Sequence, residues 1–132
     1  MRKVFGAVLG AGLLLGACPV WADRPTDLYT TQTKTATTTA AATDAVLWTP
    51  AAGKQIALQG CAFSATNAVE GIELEVANVD VIPPFGLLSY GSRTVDGGQT
   101  LIYVGAKDAV LTYSVADLTR GTLSVVCWGY EF

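Results

Sequence analysis

From Asp44 to the C-terminal Phe132 the chain breaks into short apolar runs, each cut off by Gly, Pro, Asp or Asn, and none long enough to sustain a helical period. Ile72, Leu74 and Val76 alternate with Glu73, Glu75 and Ala77, the pattern of a half-buried strand with its acids outward. Val79 and Val81 extend that strand until Pro83-Pro84 stops it. Upstream, residues 45–48 lead into a turn over 49–54. Ile56, Leu58, Cys61 and Phe63 follow with a one-residue slip at Gln59-Gly60, which predicts a bulge. Downstream, short strands are expected at 87–90, 100–104 and 109–115, with turns at 95–98 and 105–108. Gly121 opens the strongest run, 122–130. About eight strands at this spacing predict an all-β fold, an antiparallel β-sandwich of jelly-roll type.

The last run is apolar on both faces. Leu123, Val125 and Cys127 share one side, and Val126, Trp128 and Tyr130 share the other. Cys127 thus lies among core-type residues, as Cys61 does beside Phe63. The face with Trp128 and Tyr130 calls for a cover: packed loops, the preceding Thr-rich segment, or a second subunit.

Ahead of this domain (residues 44–132) stand two segments of different composition. Residues 1–22 have a basic head (Arg2, Lys3), an apolar run over 4–17 and a Val20-Trp21-Ala22 exit, which together read as a secretory signal. The run is too short for a membrane span. Leu15-Gly16-Ala17-Cys18 also resembles a lipobox, so lipidation of Cys18 is the minor alternative to ordinary cleavage. Residues 23–43 are rich in Thr and Ala and suit either a tether or an extended arm that pairs with a sheet edge.

Cleavage after Ala22 would leave 110 residues and remove Arg2 and Lys3. Six basic residues then face eleven acids, a net charge of −5. It would also leave two cysteines, Cys61 and Cys127, which in an oxidising compartment read as a disulfide. The destination is thus secreted or periplasmic.

The chemical options narrow quickly. The chain has no histidine, so the commonest general base and transition-metal ligand is missing, and no serine–lysine spacing replaces it. Glu73 and Glu75 share a strand face but read as a solvated acidic edge. Asp96, Asp108 and Asp117 match no calcium loop and are explained as turn chemistry or surface. An acidic chain is a poor phosphate binder, which argues against nucleic acid. No cofactor, metal or catalytic set is expected.

Residues 46–58, Val46-Leu47-Trp48-Thr49-Pro50-Ala51-Ala52-Gly53-Lys54-Gln55-Ile56-Ala57-Leu58, resemble the opening of small β-sandwich modules of phage tail and virion accessory proteins. Residues 108–114 and the closing Gly129-Tyr130-Glu131 follow the same layout, so the likeness spans residues 35–132. It implies a jelly-roll-like, commonly oligomeric module used for decoration, attachment or assembly. The export-type leader and the cysteine pair are departures from that pattern.

Two functions are expected on these grounds. The first is a non-enzymatic structural or assembly protein, homo-oligomeric, with residues 23–43 exchanged between copies as a strand. The second is a monomeric module that binds a cell-surface glycan or protein, with Trp48, Tyr90, Tyr103, Trp128 or Tyr130 stacking on the ligand.

Overall fold

A computed structural model describes residues 29–132. The signal assigned to residues 1–22, Cys18 included, and the start of the Thr/Ala segment lie outside the described residues. Nine strands run as β1 (Gln32–Thr38), β2 (Ala42–Trp48), β3 (Ile56–Ala65), β4 (Val69–Val76), β5 (Val79–Leu87), β6 (Ser92–Asp96), β7 (Tyr103–Val104), β8 (Leu111–Asp117) and β9 (Leu123–Glu131).

They form two antiparallel sheets. One has the order β1-β9-β3-β6, with the two-residue β7 also on β3, and the other has the order β2-β8-β4-β5. Position by position, consecutive strands occupy the two sheets: β1 with β2, β9 with β8, β3 with β4, β6 with β5. This is the strand order of a jelly roll. One end carries the β1–β2, β3–β4, β5–β6 and β8–β9 connections. The other carries the β2–β3 turn, the β4–β5 hairpin, Tyr29 and Phe132.

The Thr/Ala segment is therefore a working part of the sandwich. β1 pairs with β9 along its whole length, from Gln32↔Gly129 to Thr38↔Leu123. Three residues later the chain enters β2 in the opposite sheet. Threonine's β-branch favours this extended pairing, and Ala36 packs against the core from the inner side of the strand.

The sheets close over one core. Trp48, Phe63, Ile56, Leu58, Ile72, Leu74 and Leu111 are among its largest fully buried side chains. At its centre β9 pairs with β3, and Cys61 stands directly opposite Cys127 with Cα atoms 4.1 Å apart. The two cysteines form a disulfide within one sheet, and both are fully buried. The expected bulge is present: Leu58 pairs with Gly129 and Gly60 with Trp128, leaving Gln59 as the extra residue.

Three local expectations are overturned. Val79 and Val81 do not continue β4. The chain reverses at Ala77-Asn78, with φ of 51° and 62°, and Val79 pairs back onto Val76. Positive φ at both central residues is what a two-residue hairpin needs. Pro83-Pro84 then sit inside β5 instead of ending a strand. β5 is a sheet edge, and the register shifts between Ile82 and Phe85, so the missing N–H groups cost no ladder bonds there. Residues 87–90 are likewise a turn beyond Leu87 and not a strand.

The disulfide closes a separation of 66 residues, worth roughly 4 kcal/mol in a chain-entropy account. Replacing Cys61 and Cys127 together by alanine should lower the unfolding free energy by about 2–5 kcal/mol, read as a lower urea midpoint. An unchanged midpoint would show that the bond adds nothing to the β3–β9 pairing.

Candidate functional site

The outer faces of the two sheets differ in character. On the β1-β9-β3-β6 sheet, alternation places Leu123, Val125 and Cys127 inward and Ser124, Val126, Trp128 and Tyr130 outward. The register then builds three rows across four strands: Thr33–Trp128–Gly60–Asp96, Thr35–Val126–Ala62–Thr94 and Thr37–Ser124–Ser64–Ser92. Asp96 is the one charged residue in these rows, and its carboxylate accepts the Gly98 N–H at 2.8 Å. The face is otherwise methyls and hydroxyls, with aromatic rings at one end.

Trp128 lies across Gly60. A Cβ at position 60 would overlap the indole ring, so glycine there is the seat for the tryptophan. Tyr130 stacks on Tyr29 with centroids 5.0 Å apart and planes 10° from parallel, and Phe132 meets Tyr29 edge-on at 6.0 Å. Trp128 and Tyr130 are half-buried. Tyr29 is the contributor that sequence reading passed over. Its signal is register: Gln32 opposite Gly129 carries the chain ahead of β1 past Tyr130.

Trp48 is a correction. It is 1% exposed and offers no face to a ligand or a second chain. β2 has a register shift between Val46 and Trp48, which leaves Leu47 unpaired and turns the indole into the core. Its Nε1–H donates to Glu131 Oε1 at 2.7 Å, while Ala51 N–H donates to Oε2 at 2.9 Å. Tyr103 is half-buried against the core, whereas Tyr90 is 86% exposed on the β5–β6 turn.

The outer face of the other sheet is acidic. Glu73 and Glu75 project from β4, and Asp80 stands opposite Glu75 on β5. The carboxylate oxygens of these three lie within 4.8 Å of one another, close enough to share a cation. Asp44 joins them from a left-handed position (φ 49°) in β2, held by its N–H donating to Ser114 Oγ at 3.0 Å. Partial burial, a hydrogen bond to Asp44, and the charges of Glu73, Asp44 and Asp80 together raise the Glu75 pKa. Strand alternation revealed Glu73 and Glu75, but their meeting with Asp80 and Asp44 needed the hairpin and the bulge. The described residues form no helix, so none is long and apolar enough to cross a membrane.

Two predictions follow from these carboxylates. The Ala51 N–H and the Trp48 indole N–H hold Glu131 below the ordinary carboxylate range. Its contribution to stability is therefore present above the unfolded-state pKa and is lost as pH falls through the lower folded value. Glu131→Ala strands a buried indole N–H and should cost about 1–3 kcal/mol at neutral pH, with the penalty shrinking in acid. Glu75 behaves oppositely, because its folded pKa is raised. Glu75→Gln should lift the thermal midpoint at pH 7, and the gain should fade as the pH approaches about 4. A variant less stable than wild type at pH 7 would contradict the repulsion.

No protein-family model matches the chain, and no curated protein matches it in sequence.

Proposed function

We propose that the chain is an exported, non-enzymatic structural protein that assembles with copies of itself, as the phage-module likeness also suggests. The observation that carries this reading is β1. It is a seven-residue edge strand whose pairing with β9 is a backbone ladder, and its inward contacts are few: Ala36 at the margin of the core and Lys34, whose Nζ lies 5.4 Å from the Trp48 ring centroid. A backbone ladder is indifferent to which copy supplies the strand. Only residues 39–41 separate β1 from β2 in the opposite sheet, and a short hinge of this kind is a site at which a terminal strand can be exchanged between copies. On the outer face beside β1, Thr33, Thr35, Thr37, Ser124, Val126 and Trp128 carry no charge, which removes the repulsion that would keep two such sheets apart. The buried disulfide suits an oxidising compartment.

A second reading, a monomeric glycan- or surface-binding module, draws on the half-exposed rings of Trp128 and Tyr130 among the threonines of that same face. It predicts quenching or a shift of tryptophan fluorescence on titration with oligosaccharides, which the assembly reading does not.

The test of assembly by strand exchange is hinge length. Wild-type protein with its disulfide closed should show a multiple of the protomer mass in light scattering. Inserting Gly-Ser-Gly between Ala40 and Ala41 lengthens the hinge, favours the closed form in which β1 lies on its own β9, and should shift the mass toward the protomer. Oligomers that persist unchanged with the longer hinge would refute exchange of β1.

A further inference from the structure

The β5–β6 turn holds two large side chains in water. Leu88 is 83% exposed and Tyr90 86%, well above the other exposed large apolar residues of the described chain. The turn is not loose. Gly91 N–H donates to Leu88 O at 2.8 Å, and Gly91 O accepts the Ala65 N–H at 3.0 Å, which ties the tip to the end of β3. Tyr90 adopts φ of 57°, a conformation that favours Gly or Asn and that a ring-bearing residue takes at a cost. Among the described residues no burial of the ring offsets that cost, since Tyr90 stands 86% exposed. Strain retained without an internal reason points to a role outside the molecule.

The same chain has a recess suited to such a tip. On the outer face of the second sheet, Ala41, Ala42, Thr43, Ser114 and Ala116 surround a shallow pocket of 270 Å³ with Glu73 on its wall. Its lining is mostly small side chains, and one of them, Ala116, lies so close to Gly71 on β4 that a Cβ at position 71 would collide with it. The pocket adjoins the acidic group of Glu73, Glu75, Asp80 and Asp44. Beside the tip stands a cation, Arg93, whose guanidinium is fixed 4.3 Å above the Phe85 ring. The tip lies at the end of edge strand β5 and the pocket opens across β2 and β8, with β4 between them in the sheet.

We infer that Leu88 and Tyr90 of one copy insert into the Ala41–Ser114 pocket of a second copy, with Arg93 meeting the Glu73 carboxylate cluster. The contact joins unlike surfaces, so it propagates head to tail and ends in a ring or a filament. It rests on the assembly reading; the pocket takes in Ala41 at the end of the β1–β2 hinge, but the tip lies on the β5–β6 turn, so variants of Leu88 and Tyr90 test this contact without touching β1 or its hinge.

The experiment is sedimentation or light scattering against concentration, with four full-chain variants. Tyr90→Gly removes the ring and the unfavourable φ together. It should raise the thermal midpoint while weakening self-association at least tenfold, so misfolding cannot explain the loss. Leu88→Ser should weaken association similarly. Glu73→Arg should weaken it, and adding Arg93→Glu to that chain should restore it in part. Oligomers unaffected by Tyr90→Gly and Leu88→Ser would overturn the tip contact while leaving assembly through β1 standing. A wild-type protein that stays a protomer at all concentrations would overturn both. Tip-dependent binding to phosphatidylcholine–phosphatidylglycerol vesicles in place of self-association would also overturn the contact and assign the tip to a lipid surface.

Discussion

The pairing of β3 with β9 is the constraint from which the rest of the sandwich follows. β9 buries its inner face and carries Val126, Trp128 and Tyr130 half-exposed on the outer one, so an edge position would leave still more apolar surface in water. Its inner face meets the opposite sheet through Leu123, Val125 and Cys127. Its flanks are taken by β3 on one side and β1 on the other, and the Cys61–Cys127 bond locks the register with β3. A one-residue slip would send every side chain of β9 to the wrong face. The bulge at Gln59 absorbs the one irregularity, and it brings Gly60 under Trp128 where only a glycine fits.

From that centre the two outer faces acquire their opposite characters. The β9 side stays neutral because its neighbours are Thr, Ser, Ala and Gly, and its aromatic residues gather where the chain enters and leaves the fold. The β4 side collects Glu73, Glu75, Asp80 and Asp44 without a basic residue in the group, at a cost visible in the raised Glu75 pKa. A protein in which both faces served only to stay in solution would have little reason for this segregation. The assembly reading supplies one: a face that tolerates a neighbouring sheet, and a second that attracts a cation-flanked tip.

Much of this was legible in the residues alone. The two-faced apolar run 122–130, the slip at Gln59-Gly60 and the partnering of Cys61 with Cys127 all rest on alternation and compartment logic, and alternation is a local property. What escaped depends on contacts that local pattern does not encode. The reversal at Ala77-Asn78 carries no glycine or proline, and Ala77 at φ 51° is an unusual choice for such a turn. Pro83-Pro84 read as a stop because an edge strand cannot be told from a central one before the topology is known. Trp48 looked available for stacking because a bulge in β2, invisible in composition, turns it inward. The four-carboxylate group and the Tyr29–Tyr130 stack unite residues from different strands, and no spacing along the chain announces them.

The central claim is that this sandwich is built to join copies of itself. Native mass spectrometry of the protein with the Cys61–Cys127 bond closed tests it most directly. The account predicts a species at an integral multiple of the protomer mass that survives dilution into the low micromolar range. A protomer mass alone, at every concentration up to the limit of solubility, would contradict it.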